Sequence, residues 1–113
     1  MTSAAPEGAD TDSTATLTDG ASISWNLDTS PVAKVTLGGN RTLANPSNMK
    51  DGGFYLLRVT QDGTGSRTLT LGANYKKAGG ATLTLTTTAG AIDILFFHSD
   101  GTYMYIVPSL NFS

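Results

Sequence analysis

Few side chains in this sequence could do chemistry, and their spacing argues against most of it. His98 is the only histidine and there is no cysteine, so thiolate chemistry and disulfides are excluded. A zinc site would need three carboxylates beside the one imidazole, and no such cluster stands in the sequence. His98-Ser99-Asp100 holds the three residue types of a nucleophilic triad, but a triad converges in space, not along the chain. On a strand Ser99 points to the opposite face from His98, which leaves His98 a partly exposed strand residue. Asp10-Thr11-Asp12 opens like a calcium loop and then fails, with Thr14, Ala15 and Ala21 where a third acid, a glycine and the bidentate glutamate belong. Ser47-Asn48-Met49-Lys50 has Ser-x-x-Lys spacing without its companion motifs. Gly63-Thr64-Gly65 lacks the third glycine of a dinucleotide loop. Asn40-Arg41-Thr42 and Asn111-Phe112-Ser113 fit the glycosylation pattern, but no basic-then-apolar secretory profile opens the chain. No catalytic, cofactor-binding or metal-ligating residue is expected, and the chain reads as non-enzymatic. Trp25, Tyr75, Tyr103 and Tyr105 could form a sugar-stacking platform, although aromatics in so small a β domain are more often core or interface.

The elements that would position these residues follow from composition. The chain has 113 residues, 39% hydrophobic and only 14% charged, enough for one domain. Roughly one residue in six is Thr, a β-branched type that suits strands better than helices, and 13 glycines weaken any helical bundle further. A net charge of -2 leaves no broad basic surface for nucleic acid, and no apolar run reaches the roughly 18–20 residues of a membrane helix. Residues 1–20 differ from the rest. They carry Glu7, Asp10, Asp12 and Asp19 without a single Lys or Arg, so an extended acidic amino-terminal arm is expected over 1–20 and a β domain over 21–113. Such a segment is either a disordered tail or lies against a partner that offsets its ordering entropy.

From Ser22 the period is two, the spacing of half-buried strands. Ile23, Trp25 and Leu27 alternate with polar residues, as do Ala33, Val35 and Leu37, then Leu69 and Leu71, then Leu83 and Leu85. Between the runs lie Asp19-Gly20, Gly38-Gly39-Asn40, Asp51-Gly52-Gly53, Asp62-Gly63-Thr64-Gly65, Gly79-Gly80 and Asp100-Gly101, all turn chemistry. Asp100-Gly101 is the clearest two-residue hairpin signal. The spacing predicts an all-β, single-domain antiparallel sandwich, jelly-roll-like, of seven to nine short strands. Three stretches are apolar on both faces. Phe54 and Leu56 oppose Tyr55, Leu57 and Val59; Leu95 and Phe97 oppose Ile92, Ile94 and Phe96; Met104 and Ile106 oppose Tyr103, Tyr105 and Val107. One small domain has one core, so a second apolar face needs a cover, and another subunit is the favoured one.

Several segments in fixed order have a familiar look. They are Trp25-Asn26-Leu27-Asp28, the run from Val35 to Pro46, the run from Gly53 to Leu71 with its Gln61-Asp62-Gly63-Thr64-Gly65-Ser66-Arg67 core, Asp93-Ile94-Leu95, and Ser99-Asp100-Gly101-Thr102. Together they resemble a β module of tailed-bacteriophage virion proteins, found in head decoration (cement) proteins and at the ends of fibres. The resemblance covers about residues 23–113 and implies a structural, trimeric virion component. Because the sequence starts at Met and ends with the module, with no fibre shaft attached, the expectation is a decoration protein on the outer surface of the phage head. It would bind the major capsid protein and itself as a homotrimer, and neither nucleic acid nor membrane. Phe54, Leu56, Leu95, Phe97, Tyr103 and Tyr105 are the candidate trimer interface, and Glu7, Asp10, Asp12, Leu17 and Asp19 the candidate capsid-binding arm. The alternative is a receptor- or glycan-binding module of a tail or head fibre, reading its ligand with loops 45–51 and 60–67. Exposed aromatics clustered near one loop would favour that alternative.

Overall fold

The computed structural model describes residues 14–113. Nine strands form two sheets: β1 (Ala15–Thr16), β2 (Ser22–Ile23), β3 (Val32–Leu37), β4 (Arg41–Leu43), β5 (Asp51–Gln61), β6 (Leu69–Leu71), β7 (Tyr75–Lys77), β8 (Ile92–Asp100) and β9 (Met104–Phe112). The larger sheet has the order β1-β3-β5-β8-β9-β7 and the smaller β2-β4-β6. The all-β class is therefore as the alternation predicts. The pairing is not the uniformly antiparallel one expected of a jelly roll. β1 with β3, β3 with β5, β2 with β4, β4 with β6, and β7 with β9 are parallel; only β5 with β8 and β8 with β9 are antiparallel.

The reason lies in how the chain moves between sheets. From β1 to β6 it alternates, odd-numbered strands joining the large sheet and even-numbered strands the small one. A chain that returns to a sheet after visiting the other comes back pointing the same way, so its successive passes pair in parallel. A period-two pattern fixes which face is buried but carries no strand direction. The winding ends after β7. The β8–β9 hairpin then inserts between β5 and β7, pairing antiparallel to β5.

The core lies between the two sheets. Ala33, Val35 and Leu37 of β3, Tyr55, Leu57 and Val59 of β5, Leu95 and Phe97 of β8, and Met104 and Ile106 of β9 all point into it, where they meet Ile23, Leu43 and Leu69 of the small sheet. Trp25 stands at its centre, edge-on to Phe97 with centroids 5.1 Å apart, and donates its indole N–H to the Ser30 carbonyl at 2.6 Å. Tyr75 packs on Phe97 from the other side and donates its hydroxyl to the Ala44 carbonyl. Burial pushes the Tyr75 phenol above its ordinary pKa.

Local departures from the expected turns have backbone causes. Asp51-Gly52-Gly53 does not end a strand but lies in β5, where the register slips by one residue against β8 between Asp51 and Phe54. Gly52 takes φ +81° there, the behaviour of a glycine in a β-bulge. At the β8–β9 tip Asp100 bonds to the Tyr103 carbonyl, so the loop residues are Gly101 and Thr102 rather than Asp100 and Gly101. Leu83 and Leu85 alternate with threonines and are buried as expected, yet residues 81–87 pair with no strand among the described residues.

The two faces of β8 separate cleanly. Phe97 is 2% exposed and Phe96 44%. Phe97→Ala should cost about 3–5 kcal/mol in urea unfolding, the usual penalty for emptying a buried aromatic site. Phe96→Ala should cost at most about 1 kcal/mol in the isolated chain.

Candidate functional site

The outer face of the larger sheet carries the residues left over from the core. Strand register arranges them in rows. Val32, Leu56, Phe96 and Val107 lie side by side across β3, β5, β8 and β9, an unbroken apolar row in which Val107 is 66% exposed. One step towards the hairpin tip, Phe54, His98, Tyr105 and Lys76 form the next row across β5, β8, β9 and β7. On the other side Lys34, Arg58, Ile94 and Ser109 follow.

The second row and the hairpin make an aromatic cluster. Phe54, 77% exposed, lies against the His98 ring with centroids 4.6 Å apart. Lys76 places its ammonium 4.7 Å from the centre of the Tyr103 ring, a cation–π contact. The Tyr105 hydroxyl donates to Asp100 Oδ2 at 2.6 Å, and the Thr102 and Tyr103 amides donate to Oδ1. These bonds, Tyr105 first, hold the Asp100 carboxyl down at about 2. The same contact raises the Tyr105 phenol above its ordinary value. The result is an exposed platform: aromatic rings, a lysine, and a hydrogen-bonded carboxylate at one loop.

The expected interface residues divide between two faces. Phe54, Leu56, Tyr103 and Tyr105 lie on this outer face or at its tip. Leu95 and Phe97 do not; both are buried in the core, because β8 turns its odd-numbered residues inward. Phe96, Val107, Leu110 and Phe112 are the exposed apolar residues that the sequence reading left out. The signal for Phe96 and Val107 was present in the doubled faces, but alternation alone does not say which face is inside. Trp25 and Tyr75 are core residues, and His98 is an exposed strand residue with Ser99 turned away from it into the interior.

The arm divides as well. Glu7, Asp10 and Asp12 lie outside the described residues. Leu17 is buried in the core, its amide bonded to the Lys34 carbonyl. Asp19 accepts both Arg41 Nε and Nη2, at 2.8 and 2.9 Å, and the Gly38 amide. That pair holds the Asp19 carboxyl below the ordinary carboxylate range. Leu17 and Asp19 thus belong to the fold instead of a free capsid-binding segment.

The two loops considered for recognition are mostly occupied with themselves. In 60–67 the buried Gln61 side chain donates to the Arg67 and Thr86 carbonyls and accepts the Arg67 amide. Asp62 accepts the Thr64 and Gly65 amides and pairs with Arg67, and the Arg67 contact leads in lowering its pKa. Gly65 has φ +73°, and a Cβ there would sit 2.7 Å from the Thr87 carbonyl oxygen. In 45–51 Asn48 donates to Asn26 and Lys50 to Asp28. The run most specific to the resemblance is a structural staple.

Residues 14–103 match the family described as "Putative phage tail fibre C-terminal domain". The chain belongs to that family. It is accordingly a phage structural module, a component of the virion. No curated protein and no solved structure matches the chain.

Tyr105→Phe removes the strongest support of the Asp100 carboxylate. Its pKa, read from carboxyl carbon shifts in an NMR titration, should climb from about 2 towards the ordinary value of about 3.9. The folded value lies below the unfolded one, so this contact stabilises the hairpin fully above the unfolded pKa and loses its effect as pH falls towards the folded one.

Proposed function

We propose that the chain is a receptor-binding module of a phage tail fibre, which assembles as a homotrimer and presents its aromatic platform to a glycan on the host surface. The family match over residues 14–103 supports the fibre setting. The observation that carries the ligand class is the cluster of Phe54, His98, Tyr103 and Tyr105 beside one hairpin tip, with Lys76 over the Tyr103 ring and Asp100 on the Tyr105 hydroxyl. Flat apolar rings stack on the C–H faces of a sugar while fixed polar groups address its hydroxyls.

Head decoration, with the major capsid protein as partner, is the competing reading. Two of its candidate capsid-binding residues, Leu17 and Asp19, are folded into the domain beside β1, through core packing and the pair with Arg41. Antibody raised against the chain and applied to intact particles of the phage that encodes it should label fibre ends. Label over the head surface would return the protein to decoration. Tyr103→Ala with Tyr105→Ala should weaken binding to polysaccharide extracted from the host roughly tenfold or more while leaving the melting curve of the domain nearly in place.

Self-association is assigned to the apolar row. Val32, Leu56, Phe96 and Val107 are contiguous across four strands, and such a stripe on a small protein is best covered by another copy. Phe96→Glu should convert a trimer in sedimentation equilibrium to a folded monomer. Wild-type chain that sediments as a monomer at micromolar concentration would remove the row from the assembly.

A further inference from the structure

A second surface lies at the far side of the small sheet. Between β6 and residues 81–87 runs an open groove of about 730 Å³, bordered by Leu69, Leu71, Leu83 and Leu85 below and by Lys76 and Lys77 at one rim. One long wall is the outer edge of β6, which among the described residues pairs with β4 alone, and the other is the unassigned stretch 81–87. In β6 the Arg41 amide bonds to Thr68 and the Gly72 amide to Leu43, so the intervening Thr70 faces β4. Leu69 and Leu71 therefore direct their N–H and C=O groups the other way, into the groove. Across from them, residues 82–85 alternate in burial as a strand does, with Leu83 and Leu85 buried and Thr82 and Thr84 exposed, and their backbone groups bond to no other described residue.

Open edges of this kind are ordinarily blunted by lysine, proline or a bulge within the strand. The stretch Ala81-Thr82-Leu83-Thr84-Leu85-Thr86-Thr87 has no charge and no proline. Its far end is clamped, because Thr86 gives its amide to Asp93 and its carbonyl to Gln61. That end is thus fixed in place, while among the described residues no backbone group bonds to 82–85. Charge narrows the occupant. The groove is lined by Arg67, Lys76 and Lys77 and by no acid; Arg67 is neutralised by Asp62, which leaves the two lysines.

We propose that this groove accepts an extended, acidic peptide strand from a partner protein, which adds to β6 on one side and to residues 82–85 on the other. Its backbone would complete two ladders at once, its inward side chains would rest on the four leucines, and its carboxylates would meet Lys76 and Lys77. This is recognition by strand addition, in which the main chain supplies affinity and alternate side chains supply selectivity. The site is separate from the aromatic platform, apart from Lys76, which borders both.

The test uses the full chain with two fluorescent octapeptides, one alternating Val and Glu and one alternating Val and Lys. The acidic peptide should bind in an anisotropy titration, and the basic one should not. In hydrogen exchange, the amides of residues 69 and 71 and one alternate pair of amides within 82–85 should exchange freely in the chain alone and gain protection when the acidic peptide is added. Lys76→Glu with Lys77→Glu should weaken binding at least tenfold at unchanged melting temperature. Strong protection of those amides in the chain alone would mean that the edges are closed by each other, by residues 1–13 or by a second copy, and would overturn the proposal. Equal binding of both peptides, or binding that protects other amides, would do the same.

Discussion

Thr86 is where the polar interior meets the irregular part of the chain. Its amide donates to Asp93 Oδ2 at 2.7 Å and its carbonyl accepts from Gln61 Nε2 at 2.9 Å. Both partners sit on inward-facing positions of the central strands, and both are nearly fully buried. A buried carboxylate or amide without partners would cost several kcal/mol, so these two side chains demand backbone at that spot. They obtain it from 81–87 and from neighbouring segments: Asp93 also accepts the Asn111 amide, and Gln61 also grips both the amide and the carbonyl of Arg67. Two stretches that no ladder holds, around Arg67 and Thr86, are thereby tied to β5 and β8, and the bulged end of β9 at Asn111 is tied in with them. The core closes because the loops above it have fixed ends.

That arrangement explains why the resemblance-bearing residues contribute no recognition chemistry. Gln61, Asp62, Gly65 and Arg67 spend their hydrogen-bonding capacity on one another and on nearby backbone. What remains for other molecules is whatever the core does not use: the outer face of the large sheet and the unpaired margin of the small one. The outer face has a gradient, apolar in the row of Val32, Leu56, Phe96 and Val107, aromatic and charged in the next row towards the hairpin. Adjacent rows on one rigid sheet keep a fixed separation of one dipeptide repeat, roughly 7 Å at 3.4 Å per residue. An assembly contact on the first row would therefore fix the position and orientation of the platform on the second.

Much of the fold was legible in the residues. Period-two alternation marks nearly every strand, and the burial pattern of 22–27, which alternates without exception, is as Ile23, Trp25 and Leu27 require. Three things were not legible, each for a physical reason. Strand direction is invisible to alternation, so parallel winding looks the same as an antiparallel meander. Inside and outside are equivalent where both faces are apolar, which is why Leu95 and Phe97 stood as interface while Phe96 and Val107 did not. Glycine with aspartate signals positive φ without saying whether the chain reverses, so Asp51-Gly52-Gly53 reads as a turn and folds as a bulge. The boundary drawn at residue 20 was misplaced for a related reason: charge density describes a segment on average, while Leu17 and Asp19 each have one specific partner surface in the domain.

The hairpin illustrates how such local chemistry becomes available to function. A strand pair ending in Gly101 and Thr102 could sway, since tips of exposed hairpins lie at the low-stability end of a fold. Here Asp100 ties the tip to itself through two amides and to β9 through the Tyr105 hydroxyl, and Lys76 of β7 rests on Tyr103 from the adjoining strand. Each contact is solvent-exposed and weak when taken alone. Jointly they give each of the two tyrosine rings a partner within the fold, and on the proposed reading a platform held in this way would lose less conformational entropy on binding. The Tyr105–Asp100 bond thus shapes a surface more than it stabilises a fold.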